Sequence, residues 1–187
     1  LGHIAWIAGK YPGVNRLQVL DDDSFVDLDR MRLLLLEYIK CGYHCRFKLD
    51  FRGVRINELD RMTDADLELL DEASVEMMLI GVESGSDRVL NELMLKDITV
   101  DQILRVNRRL AKHPKLQPHY NFFCGTPGET VDDLKMTARL LLRLVEDNPR
   151  CYLGLGADWK PLPGSAMTER AVRDYGLQLP KTLEEWA

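Results

Sequence analysis

No apolar run in the sequence is long enough to cross a membrane. The nearest candidate, Met31–Ile39, is interrupted by Arg32, Glu37 and Tyr38, and a helical span needs roughly 18 or more apolar residues. The N-terminus carries no secretory pattern. Cysteine is scarce: Cys41, Cys45, Cys124 and Cys151 form no disulfide framework, which fits a reducing cytoplasm. Positive charge is not in excess. Twenty-five Lys and Arg face 30 Asp and Glu, a net charge of −5, which argues against nucleic-acid binding through a broad basic surface. There is no P-loop or GxGxxG fingerprint and no low-complexity segment. What is left is ordinary globular composition, with 45% hydrophobic and 29% charged residues in 187, enough for one domain with a sizeable core. The chain opens at Leu1 in mid-pattern, so a piece of a longer protein is expected.

Short apolar runs alternate with amphipathic stretches. Arg16–Leu20, Cys45–Phe51, Glu76–Val82, His119–Cys124 and Cys151–Ala157 read as strands. Helices are expected over Ile4–Lys10, Leu28–Lys40, the segment after the Thr63 N-cap, about Asp87–Met94, from the Thr99–Gln102 capping box to about Ala111, from Thr130 onward, and over about Ala166–Asp174. Leu28, Met31, Leu34, Leu35, Tyr38 and Ile39 form one helix face, and Val131, Leu134, Ala138, Leu141 and Val145 another. The run Glu76–Val82 is apolar on both faces, as in a parallel strand covered on both sides. Strand then helix, five times over, predicts a parallel α/β sheet.

Each strand exits into polar or Gly/Pro chemistry: Asp21–Ser24, Arg52–Arg55, Glu83–Ser86, Gly125–Thr130 and Lys160–Ser165. Ligands of parallel α/β folds bind at the carboxyl ends of the strands, so the five exits are expected to converge on one rim. Each also has a plainer reading. Thr126 and Thr130 can cap the next helix, and Arg52 or Arg55 can be a solvated charge. Glu83 is harder to dismiss. A carboxylate directly after an apolar strand is half-buried, and leaving it unpaired costs several kcal/mol, on the order of 3. It needs a donor or cationic partner.

The order Asp22-Asp23-Ser24-Phe25, Gly81-Val82-Glu83-Ser84-Gly85-Ser86, Lys96, Gly125-Thr126-Pro127-Gly128-Glu129-Thr130 and Pro161-Leu162-Pro163-Gly164-Ser165 resembles the radical S-adenosylmethionine (SAM) enzymes. It looks most like the subgroup in which a cobalamin-binding domain precedes the catalytic barrel. The resemblance implies a partial parallel (β/α) barrel with five of six βα units present across residues 1–187. It implies SAM and a four-iron, four-sulfur cluster as cofactors. The family's CxxxCxxC ligands are expected upstream of Leu1. Cobalamin would come through an absent N-terminal domain, since no DxHxxG signature is present. Cys41 and Cys45 share the first spacing, but the third ligand would fall on Lys48. They read as buried free cysteines; a zinc site with His44 lacks a second ligand pair nearby.

By the same resemblance, Asp22 and Asp23 lie where the family binds the methionine amine, with the register among the three aspartates open. Arg55 would meet the methionine carboxylate, and Glu83 and Ser84 the ribose hydroxyls or the methionine end. Gly125, Thr126, Pro127, Gly128 and Glu129 would let backbone pass close to adenine, and Pro163 and Gly164 would form its wall. Lys96 is a further candidate or a surface lysine. The expected activity is reductive cleavage of SAM to a 5′-deoxyadenosyl radical, or cobalamin-assisted methyl transfer, on an unknown or small-molecule substrate. An electron donor such as flavodoxin or ferredoxin is implied, and neither a membrane nor a clear nucleic-acid partner. The alternative is a non-catalytic binding or scaffold domain that reuses the barrel.

Overall fold

A computed structural model describes residues 1–186 of the chain. Five parallel strands, β1 (Arg16–Val19), β2 (Lys48–Val54), β3 (Val75–Glu83), β4 (Gln117–Cys124) and β5 (Tyr152–Asp158), stand in chain order in one unclosed sheet. The connecting helices are α1 (Gly2–Lys10), α2 (Leu28–Lys40), α3 (Ile56–Arg61), α4 (Asp64–Glu72), α5 (Val100–Leu110), α6 (Val131–Asp147), α7 (Ala166–Tyr175) and α8 (Leu183–Trp186). Parallel neighbours joined by helices are the expected α/β pattern. Among the described residues, no helix is long and apolar enough to cross a membrane.

The core lies between the helices and one face of the sheet. Leu49, Phe51, Met78, Ile80, Val82, Tyr120 and Phe122 point into it and are buried. The alternate residues Met77, Leu79, Gly81, Glu83, His119 and Asn121 are only half-buried. The third strand is therefore not covered equally on its two faces, contrary to its apolar pattern. Its second face lines the open side of the sheet.

Several boundaries and faces differ from the expectation. β2 starts at Lys48, because Tyr43–Cys45 forms a 3-10 turn, and it runs on to Val54. Arg52 and Gly53 thus belong to the strand and not to its exit. The short α3 was not expected; it is too brief to show a period. The short helix expected after Ser86 is present, but its residues Val89–Leu93 are wound as a π-helix. On α2, Met31, Leu35 and Tyr38 are buried and Leu34 is exposed.

α6 is rotated by about one residue from its apolar stripe. It buries Asp133, Thr137, Leu140 and Leu144, while Val131, Leu134 and Val145 are exposed. The reason is polar. Asp133 accepts hydrogen bonds from Ser86, Thr130 and Arg88, and the Thr137 hydroxyl accepts from the Gly85 N–H at 2.8 Å. Arg88 and its hydrogen bonds hold the Asp133 carboxyl below the usual range, against its burial.

Candidate active site at the strand carboxyl ends

All five strands run the same way, so their exits share one edge of the sheet. After β1, the chain turns directly over β2. A Cβ on Gly53 (φ +65°) would sit 2.2 Å from the Asp21 carbonyl oxygen, so only glycine allows this approach. The Ser24 N–H and hydroxyl donate to the carbonyls of Gly53 and Arg52, at 3.0 and 2.7 Å. This tether sets which aspartate turns inward. Asp21 and Asp22 are exposed, and Asp23 is half-buried. One Asp23 oxygen, Oδ1, is buried with no hydrogen-bond partner, while Oδ2 lies 3.7 Å from Arg55 Nη1.

β3 ends in strained backbone. Glu83 has φ +76°, and Leu95 and Asp97 both have φ +54°, a region costly for side chains other than glycine. These three residues hold one ion pair, Glu83 Oε1 to Lys96 Nζ at 3.2 Å. The Glu83 carboxylate folds back over Gly81, where a Cβ would lie 2.5 Å from its Oε1. The partner that Glu83 requires is therefore supplied by Lys96, which is no free surface lysine.

Asp22, Asp23, Arg55, Gly81, Met94 and Lys96 share a cavity of about 510 Å³. Ser84 is not in it. Its side chain is fully buried, and its hydroxyl lies 3.3 Å from that of Thr137 on α6. Ser84, Gly85 and Ser86 make a helix junction. That role was missed because each serine looks the same in sequence whether it faces a ligand or a helix.

The loop after β4 divides likewise. Gly125 (φ +81°) has open space at its Cβ position, and its N–H donates to Glu129 Oε2 at 2.8 Å. Glu129 Oε1 and Thr126 Oγ1 are buried without partners. Gly128 packs under Tyr175, where a Cβ would lie 2.7 Å from the hydroxyl oxygen, and its carbonyl accepts from Arg88. Pro127 stands between them. Pro163 and Gly164 are exposed in the turn that leads to the Ser165 cap of α7. Neither they nor the Gly125–Glu129 loop lines the cavity.

A larger cavity, of about 830 Å³, opens among the amino ends of the strands. Of its charged residues, Lys48 pairs with Glu76, and Arg46 donates to the carbonyls of Ala8 and Tyr11.

The donor set of the rim suits a zwitterion with hydroxyls, since it offers carboxylates, a guanidinium, an ammonium and free backbone. It does not suit a metal cluster. Among the described residues, no group of three His, Cys, Asp or Glu could hold a metal ion. Cys41 and Cys45 are exposed and not buried as expected; Cys45 Sγ lies 3.3 Å from His44 Nε2.

The radical SAM superfamily pattern matches residues 4–141. The chain belongs to the radical SAM superfamily. Radical SAM enzymes use SAM and a four-iron, four-sulfur cluster. Over 110 residues, 57% of the chain, it is 31% identical to a tRNA-2-methylthio-N(6)-dimethylallyladenosine synthase of Buchnera aphidicola, of which it covers 23%. Over 93 residues, 46% of the chain, it is 34% identical to an uncharacterised protein of Methanopyrus kandleri, of which it covers 16%. Among solved structures it is similar to the radical SAM methyltransferase TsrM from Kitasatospora setae, with TM-score 0.74 and 15% identity over 92% of this chain and 32% of TsrM. It is also similar to coproporphyrinogen III oxidase HemN of Escherichia coli, with TM-score 0.57 and 17% identity over 92% of this chain and 38% of HemN. This radical SAM chain thus spans well under half of each relative. The expected family and the unclosed parallel α/β fold both hold.

Proposed function

We propose that this chain is the SAM-holding part of a radical SAM enzyme, whose cluster ligands lie elsewhere in the full-length protein. One observation carries the reading. A half-buried carboxylate with an unsatisfied oxygen, Asp23 after β1, and Lys96, the ammonium paired with Glu83 at the end of β3, line one cavity. When bound beside a reduced cluster, SAM supplies a 5′-deoxyadenosyl radical or, with cobalamin, a methyl group for transfer.

The residues of this chain bind and orient. Asp23, with Asp22 at the mouth, accepts from the methionine ammonium. Arg55 and Lys96 donate to its carboxylate. Glu83, fixed by Lys96, accepts from the ribose hydroxyls, and Gly125 leaves backbone room for the adenine. We assign no SAM contact to Ser84, Gly128, Pro163 or Gly164, and leave Thr126, Pro127 and Glu129 to the wall of the rim. An electron donor of the flavodoxin or ferredoxin class completes the proposal. Cobalamin fits the likeness to TsrM, which binds cobalamin and a cluster. The relatives named for tRNA modification and the neighbour that takes tryptophan share the cofactor region, so neither lends its substrate.

The test is SAM affinity by calorimetry on the reconstituted full-length protein, with melting temperature alongside. Glu83→Gln loses a charge-assisted bond of about 1.5–3 kcal/mol and should weaken SAM by roughly ten- to a hundred-fold with little change in melting. Unchanged affinity with a large drop in melting temperature would make the pair purely structural.

A further inference from the structure

Arg88 is not among the residues placed on SAM above, yet it joins two of the strand exits that form the site. It follows the Glu83–Ser86 exit of β3 in the chain, and its guanidinium forks. Nη2 donates to the Gly128 carbonyl, in the loop after β4, at 2.9 Å. Nη2 and Nε also meet the carboxylate of Asp133 at the start of α6. That carboxylate accepts from Ser86 Oγ at 2.6 Å, and from the N–H and Oγ1 of Thr130 at 2.9 and 2.6 Å. One guanidinium and one carboxylate therefore tie the β3 exit, the β4 loop and the first turn of α6.

Much of this network caps a helix. Capping α6 needs only Thr130 and Asp133. The bond from Arg88 to Gly128 is surplus to that task, and it reaches the loop and not the helix. The loop is closed on itself: the Glu129 N–H donates to the Thr126 carbonyl at 2.8 Å, and the Gly125 N–H donates to Glu129 Oε2 at 2.8 Å. A turn closed in this way moves as a unit, so the carbonyl that Arg88 holds sets where Gly125 stands relative to the end of β3.

We propose that Arg88 is a positioning residue for the adenosyl end of SAM: it fixes the β4 loop, with Gly125, against Glu83 at the end of β3. The proposal rests on the SAM site proposed above, in which Glu83 takes the ribose and Gly125 makes room for the adenine. A two-part ligand is held by both parts only where the two subsites stand at its own span. Arg88 suits the task because its planar fork serves a carbonyl and a carboxylate at once, whereas a lysine is a single point charge. The methionine end, at Asp23 after β1, lies outside this tie.

The experiment measures the affinity of the reconstituted full-length protein for SAM, for methionine and for 5′-deoxyadenosine, with melting temperature alongside. Arg88→Lys keeps a cation for Asp133 but loses the fork. It should bind SAM and 5′-deoxyadenosine about tenfold more weakly and methionine within about twofold of wild type, at a near-native melting temperature. Arg88→Ala should show the same split and also melt lower, because the buried Asp133 loses its cation. Unchanged affinity for SAM and 5′-deoxyadenosine in both variants would overturn the proposal. So would a loss for methionine in Arg88→Lys as large as the loss for SAM, since a general loosening of the fold spares neither end. Asp23→Asn separates the two readings: it should weaken SAM and methionine and spare 5′-deoxyadenosine. If it does so while the Arg88 variants bind as wild type, the SAM site stands and Arg88 is a structural tie alone. If wild type binds no SAM, both readings fall.

Discussion

Glu83 ends β3 in a backbone conformation that suits glycine, with φ +76°, and its carboxylate is propped above Gly81. Gly81→Ala brings a methyl group to within 2.5 Å of Oε1. The clashing atom is the end of a flexible side chain, so the fold should survive while the Glu83–Lys96 pair is displaced. The expected outcome is a near-native melting temperature with SAM affinity weakened by about tenfold. At this scale the sequence disclosed some residues and hid others. A carboxylate closing an apolar strand announces a need for a partner, and Glu83 has one in Lys96. That Asp23 turns inward while Asp21 and Asp22 stay exposed was hidden, because it depends on how the loop lies over Gly53. Glu58 was hidden too. A glutamate on a six-residue helix reads as a surface charge until the fold buries it.

α6 shows how an element can mislead. Its apolar stripe predicts one face, and the helix buries the next one over. Periodicity weighs apolar residues, whereas Asp133 and Thr137 are held inward by Ser86, Arg88 and Gly85. Gly85 is the contact point: a Cβ there would lie 2.5 Å from Thr137 Cα and 2.9 Å from the Met136 carbonyl oxygen. Backbone cannot move aside as a side chain can. Gly85→Ala should destabilise the protein by about 1–3 kcal/mol in chemical denaturation and leave SAM affinity intact.

The capping carboxylates give these elements a pH dependence. Asp133 beside Arg88 and Asp66 beside Arg32 are held below the usual carboxylate range. A carboxylate depressed on folding stabilises above its unfolded value, near 3.9, and that contribution is lost as pH falls below it. Wild type should therefore lose more stability than Asp133→Asn between about pH 5 and about pH 2.5. Equal losses would show that Asp133 is not acid-linked.

For the whole molecule, the strand–helix alternation was enough to read the parallel sheet and its polar rim, since both follow from hydrophobic period and turn chemistry. Exposure of the cysteines was not readable, because a small apolar thiol carries no pattern of its own. Cys41 and Cys45 are exposed; burial raises the Cys151 thiol, and the hydrogen bond with Asp158 raises that of Cys124. Alkylation near pH 8 should modify Cys41 and Cys45 before Cys124 and Cys151. Reconstituted alone with iron and sulfide, the 187-residue chain should show no stoichiometric cluster absorbance. Stable absorbance of that kind would mean that a ligand set has been overlooked.

The register of the sheet has a consequence of its own. Near their carboxyl ends, β2 carries one extra residue against β3 between Phe51 and Val54, and β3 carries one against β4 between Gly81 and Glu83. β5 likewise carries one against β4 opposite Asn121–Phe123. Each insertion bends the strand that carries it. The girth of the mouth is thus written into the count of main-chain atoms in three staves, while its chemistry is written into the loops above them. Loop exchange can alter what the mouth recognises without altering its diameter; removing a single inserted residue would do the reverse.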